Sequence, residues 1–311
     1  MVNVYEEVDA NKRKSWIIII GFGIFVALVV YILSQAFAYY FGYEASGLGI
    51  TGMALIISGI MSFASYWWSD KIVLTLSHAR PADRKKDFLF YTVAENLAIG
   101  AGVPKPKLYV IDDPAPNAFA TGRDPDHAVV VTTTGLLQKL NRTELEGVVA
   151  HEMSHVRNYD TRLMSVVAVM VGMIALIGDW FLRASFWGRG RRRDSEGEGN
   201  IGAIFLVLGF IFAILSPIIA QLIQLAVSRR REFLADAGSV ELTRQPEGLI
   251  HALEIISKDP NPLKEATKAT AHMYIENPFK EKDHGAVGWF ANLFNTHPPV
   301  SERIKALKAM I

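Results

Sequence analysis

Residues 151–155 read His-Glu-Met-Ser-His, two imidazoles four positions apart with a carboxylate beside the first. On an α-helix such residues lie one turn above each other, so His151 and His155 project from the same face. That geometry suits two nitrogen ligands of one tetrahedral zinc ion. Glu152 stands where its carboxylate can take a proton from water activated by the metal as that water attacks a peptide carbonyl. The same five-residue pattern arises by chance in on the order of one chain in a hundred of this length, so its setting matters. Here Asn141 and Glu144 form a capping box at the start of a predicted helix, and Val148, Val149, Glu152 and Val156 share its buried stripe.

A catalytic zinc needs a third protein ligand and one open position. Residues 156–163 contain no further histidine. The best candidate lies in SRRREFLAD, residues 228–236, where Glu232 and Asp236 sit one helical turn apart. Glu232 would ligate the metal, and Asp236 would accept the free N–H of a liganding histidine and fix its tautomer. Alone, this segment is an ordinary charged helix start. Beside a two-histidine motif that lacks a ligand, the metal reading is favoured. The expected cofactor is one Zn2+ per chain, although His/His/Glu sites also accept cobalt or manganese in vitro.

The elements that must position these residues are interrupted by apolar sequence. The chain has 311 residues, 50% of them hydrophobic and 20% charged, a net charge of +1 and no cysteine. Thiolate zinc sites, cysteine nucleophiles and disulfide frameworks are excluded. The near-zero net charge gives no global footprint for nucleic acid. Trp16 to about Phe41 is too long for the apolar core of a signal peptide, has no small-residue cleavage site after it, and reads as a membrane helix behind Lys12–Lys14. Gly47–Trp68 reads as a second, ending in the aromatic belt Tyr66–Trp68. Leu163–Phe181 and Ile201–Val227 are a third and fourth run, joined by the arginine- and glycine-rich residues 183–200. The expected divisions are therefore 1–70, a membrane hairpin; 71–162, the first half of a catalytic domain; 163–227, a second apolar pair; and 228–311, the second half.

Between the pairs, a charged amphipathic helix is predicted over roughly Arg84–Ala101, broken at Gly102–Pro106. Strand-like segments follow at Leu108–Ile111 and Ala128–Thr133, with NAFATG (117–122) between them. Residues 228–311 have a polar, helical pattern.

AHEMSHVRNYD (150–160), SRRREFLAD, NAFATG and NTHPPVSERI (295–304), in that order, resemble the HtpX-type membrane proteases of the M48 metallopeptidase family. The likeness runs through most of the chain. It implies an α+β fold: a mostly helical zincin-type, gluzincin-like domain with a small sheet, carried on four transmembrane or membrane-associated helices. It matches His151, His155 and Glu232 to the zinc ligands, Glu152 to the catalytic base and Asp236 to the supporting acid. Asn117, Ala118, Phe119, Ala120 and Thr121 match an edge strand that pairs with an extended peptide substrate. His297 matches a residue that helps stabilise the oxyanion, and Arg303 an arginine with a structural or site-closing role. Read without the family, Asn117 is a turn residue after Pro114 and Pro116, and His297 a surface turn histidine. His78, His127, His251, His272 and His284 lie in no ligand-like spacing.

The expected reaction is zinc-dependent hydrolysis of peptide bonds in membrane or membrane-proximal proteins, and the resemblance adds protein quality control in a prokaryotic plasma membrane. The expected partners are unfolded or misassembled protein substrates and the lipid bilayer, with no nucleic acid. Lys12–Lys14, Lys71 and Arg84–Lys86 put the catalytic halves on the cytoplasmic side. If the third and fourth runs cross, Arg183, Arg189 and Arg191–Arg193 face outward against the positive-inside rule, unless that pair is only partly inserted. The arginine loop also reads as a lipid-headgroup patch, and residues 189–199 as a self-cleavage site by composition. Two alternatives stand beside the endopeptidase: a processing protease of prenylated substrates, and a non-catalytic scaffold that holds zinc structurally.

Overall fold

A computed structural model of the protein describes residues 9, 12–21, 23–24, 27–28, 31, 56, 59–61, 63–170, 229–264, 266–267, 270–276, 278 and 298–311. Most of the first two apolar runs, the later part of the third, the whole fourth, the arginine loop, His284 and His297 lie outside the described residues. No helix among the described residues is long and apolar enough to cross a membrane.

The named elements are α1 (Ser69–Leu76), β1 (Arg80–Pro81), α2 (Phe88–Ala101), β2 (Lys107–Ile111), β3 (Ala118–Thr121), β4 (Val129–Thr133), α3 (Thr134–Lys139), α4 (Arg142–Arg157), α5 (Arg229–Thr243), α6 (Pro246–Lys258) and α7 (Val300–Lys308). Residues 12–21 and 160–170 are also helical. The fold is mostly helical with a small mixed sheet, as the sequence leads one to expect.

The sheet runs β1-β2-β4-β3, with β2 and β4 parallel and the outer pairs antiparallel. Every residue of β3 and β4 is buried, which is why AFAT and VVVTT read as continuous runs and not as alternating ones. The two faces serve two cores. Phe119, Val129 and Val131 pack with Ile18, Leu163, Val167 and Tyr274 on one side. Ala118, Ala120 and Val130 pack with Phe90, Val149, Met153 and Leu253 on the other. Residues 163–170, the described start of the third apolar run, thus belong to the domain core beneath the sheet.

Helix α2 begins at Phe88, four residues later than expected. Asp83 accepts the backbone N–H groups of Lys85 and Lys86 at 2.8 Å each, and this local turn competes with helix there. Gly102, at φ +65°, closes its other end in the left-handed conformation.

Helix α4 carries the His-Glu-x-x-His motif and is the centre of the domain. Asn141 and Glu144 close the capping box reciprocally, at 3.1 Å and 2.8 Å. From Leu145 to Val156 only Glu146 is not buried, so the helix packs on nearly every side instead of along one stripe. Gly147 is where it meets its neighbours. A Cβ there would come within 2.6 Å of the Leu249 backbone nitrogen in α6, and Ser239 of α5 donates to the Gly147 carbonyl at 2.8 Å.

Candidate metal centre

Helix α4 brings His151 and His155 to one side, and α5 lies against it with Glu232 in its first turn. The two Nε2 atoms are 3.2 Å apart. Glu232 oxygens lie 3.8 Å from His151 Nε2 and 3.5 Å from His155 Nε2. A tetrahedral zinc with ligands at about 2.0–2.1 Å has ligand–ligand edges of about 3.3 Å. The three donors already stand near that spacing, and the set is the only such group of histidine and acid side chains among the described residues. Two imidazoles and a carboxylate are also donors of the right softness for zinc. The residues present fit the metal.

Each ligand imidazole turns its second nitrogen to a buried carboxylate. His151 Nδ1 lies 3.0 Å from Asp236 Oδ1, and His155 Nδ1 lies 3.0 Å from Asp160 Oδ2. Such outer partners fix the ring and the tautomer, so that Nε2 is free to ligate. Asp236, the acid paired with Glu232 in the sequence, lies at His151. Asp160 carries no expectation, for a geometric reason. On a continuous helix, positions 155 and 160 are about 140° apart in azimuth. The chain breaks at Asn158 and Tyr159, the latter at φ +60°, and restarts as helix 160–170 with Asp160 folded back on His155.

Arg303, from α7, is fully buried in the same cluster. It donates to both Asp236 oxygens, at 2.6 and 2.9 Å, and lies 3.5 Å from Glu232. It also donates to the Ile275 carbonyl at 3.2 Å, and its Nη2 lies 3.4 Å from both ring nitrogens of His151. The guanidinium balances acids that would otherwise be buried without a counter-charge.

These neighbours separate the two histidines electrostatically. Burial, then the nearby Arg303 charge, pushes His151 down to about 4 despite Asp236. Burial also works against a charged His155. The Asp160 hydrogen bond and the charges of Glu232, Asp160 and Glu152 outweigh it and raise His155 to about 9. Asp236 is held below the ordinary carboxylate range: burial opposes this, and Arg303 and His151 overcome it. Glu152 is buried beside the ligands, 2% exposed.

Strand β3 packs against helix α4. Asn117 and Thr133 share main-chain bonding across to β4, so by period two Ala118 and Ala120 turn their N–H and C=O groups to the outer edge. The Ala118 carbonyl accepts from Ile275 N–H at 2.9 Å. The Asn117 amide is taken up by the backbone of Glu276, to whose carbonyl its nitrogen donates at 3.0 Å. Ile275 and Glu276 thus cover the Asn117–Ala118 end of the edge, and Ala120 is fully buried as well. Of the other histidines, His272 is buried with its ring at the Met164 carbonyl, and His127 pairs with Asp124 at 2.6 Å.

Paired histidines on a buried helix, a glutamate from a second helix and supporting acids behind the rings make a candidate metal centre of the kind a metallopeptidase uses. The chain belongs to peptidase family M48, whose sequence pattern matches residues 89–311. It is 45% identical over 309 residues to the protease HtpX homolog of Caldanaerobacter subterraneus subsp. tengcongensis, covering 99% of this chain and 98% of that protein. It is 47% identical over 306 residues to the protease HtpX homolog of Dictyoglomus thermophilum, covering 98% and 94% respectively. The crystal structure of S. mikatae Ste24p aligns with a TM-score of 0.45 and 19% identity, covering 94% of this chain and 66% of that one. The chain is a metalloprotease.

Proposed function

We propose that this chain is a membrane zinc endopeptidase that hydrolyses peptide bonds in membrane or membrane-adjacent proteins, using one zinc ion per chain. The observation that carries the reading is the convergence of donor atoms from His151, His155 and Glu232 within 4.8 Å of one another. When bound there, zinc supplies Lewis acidity, polarising the scissile carbonyl and easing deprotonation of water near neutral pH. Glu152 takes that proton and delivers it to the leaving amine. Asp236 and Asp160 keep the two rings turned so that each Nε2 faces the centre. His297, expected to steady the oxyanion, lies outside the described residues. Three converging protein donors among the described residues leave a position for substrate, whereas structural zinc sites are usually closed by four.

An extended substrate pairs with the Asn117–Thr121 strand. It would displace the Ile275 N–H from the Ala118 carbonyl, since every residue of this strand is buried, and its scissile bond would lie over the centre. Arg303 joins this edge to the metal ligands through Ile275 and Asp236, which supports a role in holding the site closed around peptide.

Membrane attachment is supported by side chains that a soluble surface does not favour. Ile17, Ile20, Ile24 and Leu28 form an exposed stripe at helical spacing, each more than half exposed, while Ile18 and Ile19 are buried. Trp16, Trp67 and Trp68 are exposed nearby, and Arg123 lies over the Trp67 ring at 4.5 Å. Aromatic and basic residues together suit the headgroup region. Lys12–Lys14, Lys71 and Arg84–Lys86 favour a cytoplasmic catalytic domain. The likeness to HtpX homologs favours damaged or misassembled membrane proteins as substrates.

The test compares wild type with Glu152→Gln in detergent, using an unfolded protein as substrate and measuring zinc content on the same samples. Wild type is expected to cut, and the variant to hold one zinc and not cut. Equal cutting by both would overturn the assignment of the base.

A further inference from the structure

Two arginine–aspartate–histidine chains lead into the metal centre, and only one was foreseeable. The first is Arg303–Asp236–His151. The second runs from Arg231 Nε to Asp160 Oδ1 at 3.4 Å, and from Asp160 Oδ2 to His155 Nδ1 at 3.0 Å. All three of its residues are at most 4% exposed. A buried arginine next to a buried acid costs desolvation on both sides, so this pair is weak as a source of net stability. Its position is also particular. Asp160 opens the helix that continues into the third apolar run, and Arg231 follows the fourth run, one residue before the ligand Glu232.

We propose that Arg231 and Asp160 are a positioning pair that sets the orientation of His155 for zinc, and that ties this ligand to both ends of the intervening segment 161–230. The inference rests on the zinc reading above and adds to it which residues hold the second imidazole. Arg231 fixes one carboxylate oxygen, so that the other points at Nδ1. The imidazole then keeps Nδ1–H as donor and presents the Nε2 lone pair beside that of His151, 3.2 Å away. Because Arg231 and Glu232 are consecutive, the same turn of α5 supplies a ligand directly and positions another. Of the three consecutive arginines 229–231, the first two are exposed and Arg231 alone is buried inside the fold.

The experiment measures zinc affinity by chelator competition, with full-length protein in detergent, for wild type, Asp160→Ala, Asp160→Asn, Arg231→Leu and Arg231→Lys. Losses of this kind of partner cost on the order of 10–100-fold in metal affinity, and that loss is expected for Asp160→Ala and Arg231→Leu. Arg231→Lys, which keeps the charge, is expected to recover part of it, and the Arg231→Leu/Asp160→Ala double variant to lose less than the sum. Cobalt substituted for zinc supplies a second readout, because a displaced imidazole changes the visible absorption of a four-coordinate cobalt site. A purely structural pair would lower the melting temperature of metal-free and zinc-loaded protein alike and leave affinity and spectrum unchanged, and that result overturns the proposal. If Asp160→Ala does not fold, Asp160→Asn decides by the same two readouts. Wild-type protein that takes up no zinc would overturn the underlying zinc reading, a different failure from variants that bind as wild type does.

Discussion

Arg303 donates to the Asp236 carboxylate through two nitrogens, Nη2 to Oδ1 at 2.6 Å and Nε to Oδ2 at 2.9 Å, with both side chains fully buried. The planar fork of a guanidinium matches a carboxylate in this way and an ammonium does not. Asp236 also meets His151 Nδ1, and Glu232 lies 3.5 Å from the same arginine. One cation therefore compensates two acids, one of which is a candidate ligand.

Removing that cation leaves Asp236 buried without its counter-charge and Glu232 with only His155 to offset it. Arg303→Met is expected to destabilise the metal-free protein by about 3–5 kcal/mol, the usual cost of breaking a buried ion pair from one side. Arg303→Lys should fall between, since it keeps charge and loses the double bond. Chemical denaturation of the three proteins without metal checks this. A loss below about 1 kcal/mol for Arg303→Met would show that Asp236 is neutral in the folded protein.

Gly147 bears on how tightly α4 is seated. Alanine is the better helix former by about 1 kcal/mol, so propensity alone predicts that Gly147→Ala stabilises. The added Cβ would stand 2.6 Å from the Leu249 backbone nitrogen, a contact that no rotamer change relieves. Forcing α4 and α6 apart costs about 1–3 kcal/mol by overpacking, and it also moves the helix that carries both histidines. The expected outcome is a lower melting temperature together with weaker zinc binding. A variant that melts higher would mean that the two helices part without cost.

The capping box is a milder case, separate from the chemistry. Asn141→Ala removes the acceptor for Glu144 N–H, and about 1 kcal/mol of stability goes with it. Asn141 is remote in sequence from the ligands and makes no contact with them, so zinc affinity and turnover below the melting transition should match wild type. Thermal melts and an activity assay at a low temperature test the two halves of this statement.

What the sequence disclosed depended on whether the spacing was local. His151 with His155 and Glu232 with Asp236 each lie four residues apart within one helix, so period alone aligns them. The pairing of those two helices was reached only because a two-histidine motif wants a third ligand. Asp160 was lost because its approach to His155 depends on a left-handed turn at Tyr159, which no periodicity announces. Arg303 lies 67 residues from Asp236, and its buried position came from the family likeness alone. The strand β3 is expected from the family likeness alone, because its four apolar or small residues are buried on both faces, which erases alternation. Burial around nearly the whole of α4 exceeded the single stripe expected, because helices α2, α5 and α6 and the sheet all close on it.

The unequal histidines predict how zinc uptake depends on pH. His155 is raised to about 9 and His151 lowered to about 4, so between those values the metal-free protein holds one proton on the pair. Zinc needs both imidazoles neutral, and binding in that window must release that one proton. Apparent affinity is therefore expected to rise about tenfold per pH unit from roughly pH 5 to 9, and to level off above it, where no proton remains to be displaced. Had both rings kept the ordinary value of 6.5, the slope would be two below that pH and near zero above it. Chelator competition across pH 5–10, with proton release measured in weak buffer at pH 7.5, separates the two cases. One proton released per zinc at pH 7.5 supports the split pair. Release near zero there would mean that Asp160 and the surrounding acids do not hold His155 charged.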